Sequence, residues 1–154
     1  MNTTLVYIEK DNKYLMLHRT KKQNDVNKDK WIGVGGKFEQ GESPEECAAR
    51  EAKEETGLTI KPVFRGIVTF LYNDNDAEYM FLFTAKEFSG SIKESCDEGE
   101  LKWIEKSKLS ELSLWEGDKI FLRLLEMCND VFLLTLVYKD DALLSAILNG
   151  EKIV

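Results

Sequence analysis

Apolar residues along this chain fall into two rhythms, short alternating or continuous runs and one or two stretches with helical spacing. Residues 4–8 (TLVYI) and 14–18 (YLMLH) read as strands around a turn at Asp11-Asn12-Lys13. From Thr20 to Lys30 (TKKQNDVNKDK) the chain is almost wholly polar, which predicts a surface loop. A short apolar run, Trp31 to Val34, then leads into Gly35-Gly36. The best-marked element is a helix between Ser43 and Gly57. Ser43 suits the N-cap, Pro44 the first turn, Glu46 completes a capping box, and Gly57 can close the last turn in the left-handed conformation.

Residues 63–72 and 78–88 predict long strands joined at Asn73-Asp74-Asn75-Asp76. That acidic tetrad lacks the glycine and distal glutamate of a calcium loop, so it is read as a plain turn. Residues 101–104 predict a short strand. Trp115 to Asn129 predicts a second helix, with apolar positions at Ile120, Leu124, Leu125 and Cys128. A closing pair of strands, near 131–138 and 142–147, turns at Lys139-Asp140-Asp141. With no repeat, no linker and no regular βαβ alternation, the pattern points to an α+β or mixed α/β layer fold.

Composition narrows the chemistry. The 154 residues suit one domain, 1–154, and 43% hydrophobic with 32% charged residues is ordinary for a folded soluble protein. The net charge of −7 disfavours a polymeric nucleic-acid partner, because the cationic field that supplies non-specific affinity is missing. A polyphosphate remains compatible if a divalent cation stands between the two negative partners. No apolar run reaches the roughly 20 residues of a membrane span. The opening Met1-Asn2-Thr3-Thr4 lacks the flank and apolar core of a signal peptide. Three widely spaced cysteines, Cys47, Cys96 and Cys128, fit reduced thiols, so a cytoplasmic location is expected. The single histidine, His18, excludes a multi-histidine metal centre and reads as a structural strand residue.

The segment 36–58, GKFEQGESPEECAAREAKEETGL, carries the chemistry. At about 100° per residue, Glu51, Glu54 and Glu55 share one helix face. Like charges there weaken the helix, and their place near its C-terminal end is unfavourable to the dipole. Arg50 can offset part of this by pairing with Glu54 or Glu46. The helix alone allows two readings, a solvated charged face or a metal site. The flanking Gly35-Gly36, Gly41-Glu42 and Gly57 favour the second. They describe a loop that folds back so that backbone carbonyls approach the carboxylates, and such hard oxygen ligands suit Mg²⁺ or Mn²⁺.

The same residues resemble the Nudix box, G-x5-E-x7-R-E-U-x-E-E-x-G-U with U a bulky apolar residue. Gly36, Glu42, Arg50, Glu51, Glu54, Glu55, Gly57 and Leu58 fill its positions, and Ala52 at the first U is the one departure. The resemblance implies an α/β/α sandwich with a mixed central sheet. It also implies metal held by Glu51, Glu54, Glu55, Glu98 and the Gly35 carbonyl, Arg50 orienting the carboxylates, and structural roles for Gly36, Glu42 and Gly57. Mg²⁺ is the expected ion, with Mn²⁺ as the alternative. The general base stays open between Glu51, Glu54 and a loop acid. Glu98 fits the loop position in SCDEGELKW, with Asp97 and Glu100 as its neighbours.

Beyond the box, KWIGVGGKFEQGE, LWEGDKIF and VFLLTLVYKDDALLSAIL resemble the MutT/MutX-like, oxidised-purine triphosphatase branch of that family. This implies a small-molecule nucleotide substrate such as 8-oxo-dGTP and a part in nucleotide-pool sanitation and DNA repair. By position, Trp115 would stack on the base and Asp118 would bind its edge. Trp31, Ile32, Phe70, Tyr72 and Phe121 would line the pocket, and Arg19 or Lys37 would meet phosphate. Two positions depart from the human member of that branch: Gly117 replaces the first of two adjacent aspartates, and Ile32 replaces a purine-contacting asparagine. The alternatives are another Nudix substrate (dihydroneopterin triphosphate, ADP-ribose or a capped RNA end) and a non-catalytic nucleotide-binding domain. As to assembly, either a monomer or a homodimer is compatible.

Overall fold

The computed structural model describes residues 1–73 and 76–154. Asp74 and Asn75, the middle of the turn expected after residue 72, lie outside the described residues. The chain opens with strands β1 (Asn2–Lys10) and β2 (Lys13–Arg19), followed by the short β3 (Trp31–Ile32) and β4 (Val34–Lys37). Helix α1 (Pro44–Thr56) follows, then β5 (Thr59–Ile60), β6 (Val63–Tyr72), β7 (Glu78–Ala85), β8 (Phe88–Ser89) and β9 (Gly99–Glu105). A 3₁₀ turn (Lys106–Glu111), α2 (Glu116–Met127), β10 (Phe132–Lys139), β11 (Ala142–Leu148) and β12 (Glu151–Lys152) complete it.

The sheet is mixed, in the order β12-β11-β10-β6-β7-β1-β2-β3, with β4 on β1 and β9 on β2. β1 runs parallel to β7 and β10 parallel to β6, while β6 and β7 form an antiparallel pair. β1 holds β4 along Thr3–Val6 but meets β2 only at Glu9 and Lys10.

β1 and β2 read as continuous apolar runs because both of their faces are covered. Leu5 and Tyr7 with Tyr14 and Met16 pack into one core beside Phe121, Leu122 and Leu125 of α2. Val6 and Ile8 with Leu15 and Leu17 pack into a second core beside Ala48 and Ala52 of α1. Burying one such Leu or Phe side chain contributes about 1.5–3 kcal/mol, so α2 is held mainly by its inward stripe of Phe121, Leu122 and Leu125. This is the helix–sheet–helix sandwich expected from the box.

Three local features differ from the sequence reading. The strand expected over 78–88 ends at Ala85, and Phe88–Ser89 pairs instead with Thr59–Ile60. The second helix starts one residue later, with Trp115 as its N-cap, and ends at Met127. The 3₁₀ turn at 106–111 carries no strong apolar period and was not anticipated. Among the described residues, no helix is long and apolar enough to cross a membrane.

Candidate active site

α1 is built by local signals. The Ser43 hydroxyl accepts from the Glu46 N–H at 3.2 Å and the Glu46 carboxylate from the Ser43 N–H at 3.1 Å, closing the capping box. Gly57 ends the helix at φ 83°, and its N–H reaches the Lys53 carbonyl at 3.0 Å. Cys47, Ala48 and Ala52 bury one stripe, and the same rotation turns Glu55 inward. Ala52 is fully buried, so the small residue at the bulky box position fills its slot.

Arg50 organises the acidic side. Its guanidinium forks onto Glu42, with Nε to Oε2 at 2.7 Å and Nη2 to Oε1 at 3.0 Å. It also reaches the Lys37 carbonyl at 3.1 Å, Glu51 at 2.9 Å and Glu54 at 3.3 Å. The expected pairing with Glu54 is present. Pairing with Glu46 is not, because the capping box already uses that carboxylate. Glu42 instead comes back across eight residues, held by the Glu39 N–H at 2.9 Å, and Arg50 pins its carboxyl down to about 2. Glu42 thus ties the glycine loop to the helix.

The remaining carboxylates face a shared space unequally. Glu55 is 6% exposed and accepts the Gly35 N–H at 2.9 Å. Burial pushes its carboxyl up to about 8, with nearby Glu51 and Glu98 adding to the rise. Burial likewise raises Glu51, against the pull of Arg50. Gly36 lets the Glu51 carboxylate lie against the backbone, since a Cβ would stand 2.6 Å from its carboxyl carbon and push that side chain aside. In an extended strand the N–H and C=O of one residue point the same way, so the Gly35 carbonyl faces the side on which its N–H meets Glu55. Glu54 is the outermost, its side chain 58% exposed.

Glu98 joins this group from the loop before β9. It is half-buried, accepts from the Cys96 thiol at 3.2 Å, and lies close enough to raise both Glu51 and Glu55. Its neighbours Asp97 and Glu100 are exposed.

The donor set is therefore carboxylate oxygen plus one backbone carbonyl, the chemistry of a hard divalent cation and not of zinc. Among the described residues no three such side chains already stand as a closed cage. The reason is visible in the contacts: Arg50 draws Glu51 and Glu54 toward itself, and Gly35 draws Glu55. A buried, proton-retaining Glu55 beside two further acids still fits a site that wants a cation.

A cavity of about 520 Å³ lies beside this corner. Its lining includes Gly35, Gly36 and Lys37 of the glycine loop, Trp115 and Asp118 at the start of α2, and Arg19, Ile32, Phe70 and Tyr72, whereas Glu51, Glu54, Glu55 and Glu98 do not line it. Trp115 is fixed by its indole N–H, which donates to Asn27 at 2.8 Å, while Lys30 lies 5.1 Å from its ring centroid. The polar 20–30 segment is thus folded against the pocket. Arg19 holds it through Asp25 at 2.6 Å, so that guanidinium is already engaged. Asp118 is 5% exposed, and burial pushes its carboxyl up to about 8, with only Lys30 opposing.

Two expected pocket residues lie elsewhere. Trp31 stacks on His18 at 4.3 Å, almost parallel, and does not line the cavity. Phe121 is fully buried in the α2 core, its ring 6.2 Å from that of Tyr7. Each sits on the expected element, with its ring packed against other side chains. Conversely, Asn27 and Tyr138 line the cavity and were missed. Asn27 had no signal inside a polar loop, and Tyr138 looked like one more inward residue of an alternating strand. The departure at Gly117 now has a cause: a Cβ there would stand 2.6 Å from the Tyr138 hydroxyl and 2.5 Å from Leu136.

The structure thus sets a mixed sheet between two helices, with an arginine-clamped acidic helix beside an open polar and aromatic cavity. The NUDIX domain model matches residues 1–125, and the chain belongs to the Nudix family. The MutT protein of Bacillus halodurans has the same fold, with a TM-score of 0.86, 31% identity and coverage of 97% of this chain and 98% of that one. The oxidized purine nucleoside triphosphate hydrolase of Danio rerio is 32% identical over 98 residues, 62% of each protein. The ADP-ribose pyrophosphatase of Methanocaldococcus jannaschii is 33% identical over 116 residues, 73% of this chain and 66% of that protein. The chain is a MutT-like Nudix hydrolase, and such enzymes work with a divalent metal.

Proposed function

We propose that this protein hydrolyses (deoxy)nucleoside triphosphates to the monophosphate and pyrophosphate, with oxidised purines such as 8-oxo-dGTP among its substrates, using Mg²⁺ or alternatively Mn²⁺. The observation that carries this reading is the cavity that brings Gly35 and Gly36, the loop against which Glu51 and Glu55 pack, together with Trp115 and Asp118 in one lining. A polyphosphate and a planar base fit its two ends in one binding mode. The name of the zebrafish relative points the same way.

Glu51, Glu54, Glu55, Glu98 and the Gly35 carbonyl would hold the cation. When bound, divalent ions supply charge neutralisation on the phosphates and acidify the attacking water. Arg50 keeps Glu51 and Glu54 in register through its anchor on Glu42. Glu51 and Glu98 are the two acids placed to take a proton, Glu51 by its raised affinity and Glu98 by its half-buried loop position. Lys37, exposed and without an ion-pair partner among the described residues, would meet phosphate oxygens, since Arg19 is held by Asp25.

ADP-ribose is the competing substrate, favoured by the archaeal relative. A panel of normal and oxidised nucleoside triphosphates, ADP-ribose and dihydroneopterin triphosphate, assayed with Mg²⁺ and product identification, separates the readings. Triphosphates should be cleaved fastest, between the α and β phosphorus atoms. Faster cleavage of ADP-ribose would overturn the assignment.

A further inference from the structure

The two helices do not cover the sheet equally. α1 packs on β1, β4 and β5, where Val6, Ile8 and Val34 are buried beneath it. On the α2 side, β6, β10 and β11 bury Val68, Leu134, Leu136 and Ala146. The opposite side of those three strands is open. Along β10 burial alternates, with Phe132, Leu134 and Leu136 buried while Leu133 is exposed and Thr135 and Val137 are half-buried.

Strand register shows what the open side presents. One row crosses β7, β6 and β10 as Phe81, Ile67 and Leu133. The next runs Tyr79, Thr69, Thr135 and Ile147, reaching β11. A third holds Leu71, Val137 and Ser145. Beside it, the β11 irregularity leaves Leu144 out of register, and Leu71, Val137 and Leu144 line one shallow depression. No position in these rows is charged, in a chain whose residues are 32% charged. Charges of both signs stand only at the margin, Lys139 and Asp140 at the hairpin and Lys152 opposite Ile147 on the edge strand. Leu133 and Leu144 are 58% and 56% exposed, and Leu71 and Tyr79 are exposed as well. An apolar patch this continuous, rimmed by polar residues, marks a contact surface.

Chemistry and size select the occupant. A nucleic acid or an anionic lipid surface finds no cation on these rows, and a charged peptide finds nothing to pair with. A second copy of the chain meets the opposite situation. Two molecules of net charge −7 repel, and a two-fold contact sets like residues near one another, so a charge-free face is where two copies can touch at least electrostatic cost. Half-buried Ile, Val and Thr also form the flat pleated surface that sheets use to stack about 10 Å apart. From the strand spacing and rise, the patch covers roughly 20 by 20 Å in plan. Counting side-chain relief, two such patches would bury on the order of 1,000 Å², the lower bound of a specific interface, which fits a weak dimer.

We infer that this open face of β7, β6, β10 and β11 is an interface between two copies of the chain, stacked sheet on sheet about a two-fold axis. β6 alternates, so Phe70 and Tyr72 turn into the cavity on the other side of the sheet and pairing leaves that cavity accessible. The inference is independent of which substrate is cleaved.

Sedimentation equilibrium from micromolar to near-millimolar protein tests it on wild type, Leu133→Glu, Leu144→Glu and, as a control with the same charge change on α2, Met127→Glu. Wild type and Met127→Glu should pass from monomer to dimer within that range. Leu133→Glu and Leu144→Glu should weaken the dimer by about tenfold or more, since a two-fold sets the new charges on both copies into one apolar contact. All three substituted side chains are exposed, so thermal melts of the dilute proteins should coincide, and kcat/KM per protomer should be unchanged. A wild type that stays monomeric throughout overturns the inference and leaves the face to a different partner. A dimer that survives both face substitutions, or that Met127→Glu disrupts equally, overturns it too, because the contact then lies elsewhere.

Discussion

The acidic corner and the base end of the cavity beside it are made in opposite ways. The acidic corner is assembled from one continuous segment, Gly35 to Gly57, with Glu98 joining it from afar. Its charges are tied together by Arg50, and its geometry is fixed by a capping box, a glycine and a helix repeat. The base end is assembled from four distant segments: Asn27, Phe70 with Tyr72, Trp115 with Asp118, and Tyr138. Its polar groups are left with unspent hydrogen-bonding capacity. A site that performs one chemistry on many substrates can keep the first end constant and vary the second.

The largest effect should come from the acidic end. Glu51→Gln is expected to lower kcat by on the order of 10²–10³-fold while leaving the melting temperature unchanged or higher, since a half-buried like charge is removed. Turnover near the wild-type rate would remove Glu51 from the site. Next comes a paired comparison across the boundary between pocket and core. Phe121→Ala should destabilise the protein by about 3–5 kcal/mol in denaturant titration, with KM unchanged in the folded fraction. Trp115→Ala should do the reverse, raising KM by roughly tenfold at a much smaller stability cost. If the two substitutions behave alike, the contrast between pocket wall and core is wrong.

A further effect concerns pH. The Asp118 carboxyl sits at about 8 when folded and near 3.8 when unfolded, so between those values the folded chain keeps a proton that the unfolded chain has released. Asp118 therefore makes stability fall as pH rises from about 4 to about 8, after which its contribution levels off. Lys30 is the cation facing it, and Tyr7 and Tyr138 are the facing hydroxyls. Asp118→Asn should remove this slope, so that the variant gains on the wild type as pH rises across that window. Glu55 titrates in the same range in both proteins and cancels in the difference. Parallel stability–pH curves would show that Asp118 is not buried as described.

The contrast also explains how much could be read from the chain. Ser43, Glu46 and Gly57 fix α1 through contacts within four residues, and the helix repeat alone places Glu51, Glu54 and Glu55. Local chemistry was legible there. The Arg50–Glu42 fork was not, because it needs the loop between them to fold back through Glu39. Trp31 and Phe121 were assigned to the right elements, but which way an aromatic turns depends on the neighbours the fold brings. His18 claims one and the α2 core claims the other. Tyr138 and Gly117 were invisible as a pair, since 21 residues separate a hydroxyl from the space it fills.

β1 gives the molecule a further property. Its alternate side chains are shared between the two cores, Leu5 and Tyr7 on one side and Val6 and Ile8 on the other. Neither core can come apart without stripping a wall from its neighbour, so no intermediate should keep the acidic helix docked after α2 has left. Amide protons of residues 5–8 should exchange only through global opening, and heat should abolish both ends of the cavity in one transition.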